Sequence, residues 1–323
     1  MFFENGNRLI AIDFLKTVSI VLVILNHSLS VEQNDMVLGP FWLDMAVPFF
    51  MIVTGITYSM SADRKGIDKF GSWFKWKNIN KKLSRILIPY SIIIILEAMS
   101  YGISSSQSLG IFMYKVVTGG WGPGSYYIPV LIQLLVVFPI LFFSSKKYPK
   151  TTIVLAFSFH LVFDIVANIL PIADWIYRLS VFRYLVFIVV GITLYNYPKK
   201  VLEWKRKLII LALLSAAYIW MCTYYGYMPS IFIKWNTTSL PTVFWAFGLV
   251  VLAFKYINDM KEIRIRNMIE IISNGTLHIY LVQMVYFHFD FGRLNLVINI
   301  LLCLIVGILF YYIEGRKSIY IRV

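Results

Sequence analysis

The sequence predicts an all-α, polytopic transmembrane helical bundle of about ten spans. Three observations carry that prediction. Of the 323 residues, 59% are hydrophobic and only 14% are charged, whereas a soluble domain carries about 25% charged residues. The apolar residues fall in long runs, each sufficient for the ~20 residues that cross ~30 Å of hydrocarbon. The Lys and Arg residues collect in alternate connecting segments, the pattern by which membrane proteins set their orientation.

The apolar runs cover residues 9–29, 38–60, 86–103, 126–144, 152–171, 178–196, 208–225, 240–257, 270–289 and 294–313. The first holds Asp13 and Lys16, lacks a small-residue cleavage pattern and is followed by further spans. It therefore reads as a span, not as a cleaved signal peptide. Residues 61–85 carry Arg64, Lys65, Lys69, Lys75, Lys77, Lys81, Lys82 and Arg85. Further basic groups follow the fourth span (Lys146, Lys147, Lys150), the sixth (Lys199, Lys200, Lys205, Arg206, Lys207), the eighth (Lys255, Lys261, Arg264, Arg266) and the tenth (Arg316, Lys317, Arg322). The opposite side holds Lys115, Arg178, Lys234 and Arg293 among the acids Glu32, Asp35, Asp174 and Asp290.

This asymmetry predicts both termini in the cytoplasm and residues 1–323 as a single integral domain of the plasma or inner membrane. One missed span would invert every later loop and spoil the pattern. The net charge of +14 then serves topology, and no nucleic-acid partner is expected; the partner is membrane lipid. Trp73, Phe74 and Trp76 interleave with lysines, as in a helix lying on an anionic membrane surface. Cys222 and Cys303 have neither disulfide nor metal-ligand spacing, so buried apolar roles and no metal are expected. The glycosylation-like triplets at Asn236 and Asn274 are too common by chance to carry weight.

Ionisable groups inside the spans are the informative residues, because each costs several kcal/mol to insert. In the first span Lys16 and His27 are eleven residues apart. That is three helical turns plus about 20°, so both lie on one face, roughly 16 Å apart along the axis. Asp13, one turn before Lys16, can neutralise it. A plainer account has His27 capping the outer end and Lys16 snorkelling inward. The second span carries Asp44 and Val47-Pro48 through Thr54-Gly55, which fits tight helix packing. The third opens with Lys82 and Arg85 one turn apart, a spacing that suits a phosphate, and continues to Pro89 and Glu97. His160 and Asp164 are i,i+4 neighbours, and Asp164 can orient His160 or pair with Arg183. His278 and His288 fit polar groups satisfied within the bundle.

Taken together, these residues resemble the membrane-bound acyltransferase-3 family. Lys16-X10-His27 is similar to its Arg/Lys-X10-His pattern. Val47-Pro48 through Thr54-Gly55 is similar to its Val-Pro-x-Phe-Phe-x-x-Ser-Gly stretch, with Met51 and Thr54 as departures. Lys82-X-X-Arg85 with Pro89 resembles its Arg-x-x-Arg motif. Gly119-Gly120-Trp121-Gly122-Pro123-Gly124-Ser125-Tyr126-Tyr127, followed by Gln133 and Pro139, resembles the loop and fourth helix of glycan-modifying members. The ninth span resembles a late helix in which many members have His where Gln283 stands here. The resemblance runs in order from residue 8 to about 290.

The resemblance implies a glycan O-acetyltransferase-like enzyme of the cell envelope. It would move an acetyl or other short acyl group from acyl-coenzyme A, a co-substrate and not a tightly bound cofactor, to a hydroxyl of a cell-surface polysaccharide or glycolipid. Lys16, Lys82 and Arg85 would bind the donor. His27 would act as general base or take the acyl group itself. Asp13, Asp44, Glu97, His160 and Asp164 are the supporting or acid–base candidates, with Asp44, Glu97 and Asp164 as alternatives for orienting His27. Trp121, Tyr126 and Tyr127 would stack on the acceptor glycan. Two other readings are a polysaccharide exporter of similar architecture and a non-catalytic scaffold; against export, no inverted repeat of broken helices is visible.

Overall fold

The computed structural model describes residues 9–104, 109–227, 239–258, 260, 262–289 and 294–320, with side chains left aside at 100–104 and 316–320. Arg8, Lys234, Asn236, Lys261, Asp290, Arg293 and Arg322, together with the side chains of Arg316 and Lys317, lie outside the described residues.

Among the described residues, the helices that fall on the apolar runs are α1 (Ile10–Ser28), α2 (Ala46–Arg64), α3 (Trp76–Ser104), α4 (Tyr127–Lys147), α5 (Pro149–Ile169), α6 (Leu185–Asn196), α7 (Lys205–Tyr225), α8 (Val243–Tyr256), α9 (Ile263–His288) and α10 (Leu296–Tyr320). Each coincides with one of the apolar runs of the sequence, and the described residues contain no strand. Among the described residues, six segments are long and apolar enough to cross a membrane unaided, including α1, the stretch Gly39–Arg64 that contains α2, and the part of α10 up to Gly315; shorter apolar helices cover Val181–Asn196 and Leu240–Tyr256. The molecule is a polytopic helical bundle.

Several boundaries differ from the sequence reading for local reasons. The second run does not begin as a helix at residue 38. Leu38 is left-handed (φ 54°), and Gly39–Phe41 form a 3-10 turn before α2 starts at Ala46. Pro48 consequently falls in the first turn of α2, where amides have no helical acceptor, so its missing N–H costs nothing. The third helix starts ten residues before the apolar run and carries Lys77, Lys81, Lys82 and Arg85 on its own first turns. Helix α6 has only 12 residues, ~18 Å of rise, and is preceded by a 3-10 turn at Val181–Tyr184. Irregular backbone at this depth is tolerated because it is enclosed by protein; α6 is buried along nearly its whole length. Leu109–Thr118, a connecting loop in the sequence reading, is an additional apolar helix with exposed Leu109, Met113 and Val117.

Helices α1, α2 and α6 form the inner layer. Helix α2 packs on α6 and α1, and α1 packs on α9. The α2–α6 crossing is set by reciprocal glycines. A Cβ on Gly55 would strike the Ile188 carbonyl, and one on Gly191 would strike that of Ile52. Small residues let backbones approach closely where lipid gives no hydrophobic drive to pack, so Gly55 has the packing role its position suggested. The Gly39–Arg64 window is 72% buried whereas that of α10 is 17% buried, which places α10 at the bundle periphery. Cys222 and Cys303 are buried and unbridged.

Candidate active site

The last turn of α1 is tied into the bundle by a polar chain. Tyr286 donates to Asn299 at 2.7 Å, Asn299 donates to the Ser28 hydroxyl at 3.1 Å, and Ser28 donates to the Ile24 carbonyl at 2.8 Å. These bonds from α9 and α10 fix the rotation of the turn that carries His27. The His27 ring packs at 5.8 Å from Phe287 and opens into a cavity of about 960 Å³.

Asp44 lies on the same cavity wall and accepts from Asn26, the residue beside His27, at 3.4 Å. The irregular segment that presents Asp44 is pinned where Trp245 donates to the Phe41 carbonyl at 2.7 Å. The opposite wall comes from the Gly-rich segment and Tyr126, and from the short helix Asp174–Leu179 with Arg178. The Arg178 guanidinium acts electrostatically on His27. Gln133 of α4 braces this wall, donating to the Leu179 carbonyl at 2.7 Å and accepting from the Val181 amide at 3.1 Å.

Glycines at 119, 120 and 124 have φ of 107°, 117° and 84°, values that exclude ordinary side chains. The segment is clamped from two sides. Glu97 of α3 accepts the backbone N–H of Trp121 at 3.1 Å and also that of Gly122. On α9, Tyr280 donates to the Gly124 carbonyl at 2.5 Å and Gln283 donates to the Pro123 carbonyl at 3.3 Å. Thus Glu97 holds the loop and is not among the residues that line the cavity with His27. Gln283 is a second clamp on the loop.

The remaining sequence candidates divide between the cavity and the interior. Of the three loop aromatics, Tyr126 lines the cavity. Tyr127 is buried against Phe50 and Tyr280, and Trp121 packs on Phe112. His160 and Asp164 are fully buried, 3.5 Å apart. Asp164 accepts from Tyr177 at 2.7 Å, and the Arg183 guanidinium sits 4.8 Å from the Tyr177 ring and interacts electrostatically with Asp164. Arg183 reaches the cavity wall; His160 does not. Asp13 accepts from Ser273 of α9 at 2.5 Å. Lys16 is half-buried and is not part of the cavity lining.

Lys82 and Arg85 occupy a different region. The Lys82 ammonium lies 3.3 Å from the centroid of Trp73 and 4.3 Å from that of Tyr58, a cation–π seat. Trp73 is held by donating to the Leu135 carbonyl at 2.8 Å. Arg85 is exposed and acts electrostatically on Tyr58 and His278. Lys82 precedes the apolar part of α3; burial, and then the charge of Lys65, lower its pKa to about 7. From Arg85 to Glu97 the helix climbs roughly 18 Å. Between these levels stand Tyr127 and Tyr280, with centroids 4.9 Å apart. Tyr280 faces the cavity, and Tyr127 interacts electrostatically with Tyr58 beside Lys82.

Sequence reasoning noted Gln133 within a motif but gave it no role, and it missed as site residues Arg178 and the aromatic pair Tyr114 and Trp175, whose rings meet edge-on at 5.5 Å on the cavity wall. The one available signal was the scarcity of basic residues in the loops assigned to the outer side. No curated protein and no solved structure matches the chain. The family model described as an acyltransferase domain matches residues 9–314, nearly the whole bundle. The chain therefore belongs to the acyltransferase-3 family and is a multi-pass membrane acyltransferase.

Proposed function

We propose that the protein moves an acetyl group from acetyl-coenzyme A, presented at the cytoplasmic face, to a hydroxyl of a cell-surface glycan or glycolipid on the far side. The observation that carries this reading is the separation of two sites. His27 opens with Asp44, Tyr126 and Arg178 into one sugar-sized cavity, within the ~300–1,000 Å³ of small-molecule sites. The cations Lys82 and Arg85 gather roughly 18 Å away along α3. The donor's phosphates are taken by Arg85 and Lys82, and its extended arm rises past Tyr58 and Tyr127 toward His27. Lys16 contributes charge from α1.

In the transfer step, the neutral His27 imidazole accepts the proton of the sugar hydroxyl. The hydroxyl oxygen bonds to the thioester carbonyl carbon, and the carbon–sulfur bond then breaks. The thiolate leaves with the proton returned by His27, so no external acid or base is consumed. Asp44, through the Asn26 turn, is the carboxylate best disposed to steady His27, since Glu97 is committed to the loop and Asp164 to Tyr177.

The test is incubation of membranes containing the protein with acetyl-coenzyme A labelled in the acetyl group. Label is expected in the glycan with the wild type and absent with His27→Ala, with equal amounts of both proteins in the membrane. Equal labelling by the two would overturn the assignment.

A further inference from the structure

The outer cavity sets cations beside its aromatic rings. Lys115, Arg178 and Arg183 line it, against Asp44 and Asp174. Arg183 is buried on Tyr177 and interacts with Asp164, so its charge is engaged with the interior. Asp44 takes the Asn26 amide, and Asp174 lies one turn before Arg178 on the same short helix. Arg178 is exposed to the cavity, and Lys115 is half-buried at its edge. The sequence makes this placement informative. The segments assigned to the outer side hold only Lys115, Arg178, Lys234 and Arg293 as cations. The two of these within the described residues both stand on the wall of this cavity. A scattered remnant of surface charge would not converge in this way. Neutral sugars are bound by aromatic faces and hydroxyl partners, as Tyr114, Trp175 and Tyr126 offer here. Guanidinium and ammonium groups instead select carboxylate and phosphate.

Resting on the acyl-transfer reading above, we propose that the acceptor bears an anionic group, a carboxylate or a phosphate, next to the hydroxyl that is acylated, and that Arg178 with Lys115 binds this group. The Gln133 brace fixes the direction of the Arg178 wall, so the anion site and His27 are held at one spacing. Selectivity for a charged acceptor is thereby built into the same rigid wall that orients the hydroxyl.

The experiment uses the full chain in lipid nanodiscs and three probes: methyl glucoside, methyl glucuronide and glucose 1-phosphate. Binding is read from displacement of a fluorescent glucuronide, and transfer from labelled acetyl-coenzyme A. One charge-assisted hydrogen bond corresponds to about tenfold or more in affinity. An anionic probe is therefore expected to bind at least tenfold more tightly than methyl glucoside. Arg178→Gln should bring that ratio close to one, Lys115→Gln should lower it in part, and Arg178→Lys should restore part of it. A preference between glucuronide and phosphate identifies the anion. Equal binding of neutral and anionic probes by the wild type overturns the proposal. So does Arg178→Gln that slows transfer to all probes alike with the binding ratio kept, since Arg178 would then serve the reacting carbonyl. Charge-selective binding without any transfer supports the anion site and overturns the acyl-transfer reading. Transfer without charge selectivity does the reverse.

Discussion

Lys82, seated on α3, and Arg178, on the cavity wall, are both cations set near aromatic rings, yet they are held in different ways. Lys82 is pressed on Trp73 and Tyr58, with its charge partly shielded by the rings. Arg178 stands on a braced wall of the cavity it shares with His27. On the proposed reading, the first arrangement gives a transient grip on a donor that must be released after each turnover. The second suits fixed geometry around reacting atoms. The difference teaches that a cation's role follows from what holds it, not from its residue type.

If the two ends do divide the work, substitutions at the outer end should act on kcat and those at the inner end on the donor KM. The largest effect is expected for His27→Ala: loss of kcat by about 10²–10⁴-fold, the usual weight of an acid–base group, with membrane insertion unchanged. A large fall in donor affinity instead would erase the division. Next, Glu97→Ala should release the Gly-rich loop and cost about 10²-fold in kcat, as small misplacements near reacting atoms do. The donor KM should stay within about twofold, measured by transfer of label at varied donor concentration.

At the inner end, Arg85→Ala should raise the donor KM about tenfold, the worth of one charge-assisted contact, at near-constant kcat. An unchanged KM would remove Arg85 from the donor site. The smallest effect concerns pH. Because the Lys82 pKa is lowered to about 7, the side chain is charged below that pH and neutral above it. Donor affinity should therefore weaken by a few-fold between about pH 6 and 8. Lys82→Arg, which stays protonated throughout, should flatten that limb, read from KM across the pH range in open membrane fragments.

Much of the fold was legible because its signals are local. Apolar runs located every long helix, since hydrocarbon thickness sets a length that can be counted along the chain. Helix ends were less legible. The start of α2 depends on the Gly39-Pro40 turn, and α3 extends backwards through a lysine-rich stretch that looked like a surface loop. The helix at 109–118 was hidden because it is too short to register as a span.

At the site, Lys16-X10-His27 and Lys82-X-X-Arg85 were visible as patterns, because helical periodicity turns spacing into a shared face. Periodicity does not say what stands across from that face. Glu97, Asp44 and Asp164 were equivalent in the sequence as intramembrane acids. Only the packing of α3 beneath the Gly-rich loop, of residue 44 beside Asn26, and of α5 against Tyr177 gave them different partners.

The amino-acid sequence alone determined the helical membrane architecture and the clustering of basic residues in particular connecting segments. Length, hydropathy and spacing are properties of contiguous segments, and each has a physical threshold. The tertiary structure decided which side chains share a cavity. That Arg178 and His27 share one cavity, that Glu97 serves a loop, and that Tyr127 is interior while Tyr126 lines the cavity all depend on side chains far apart in sequence meeting across helices.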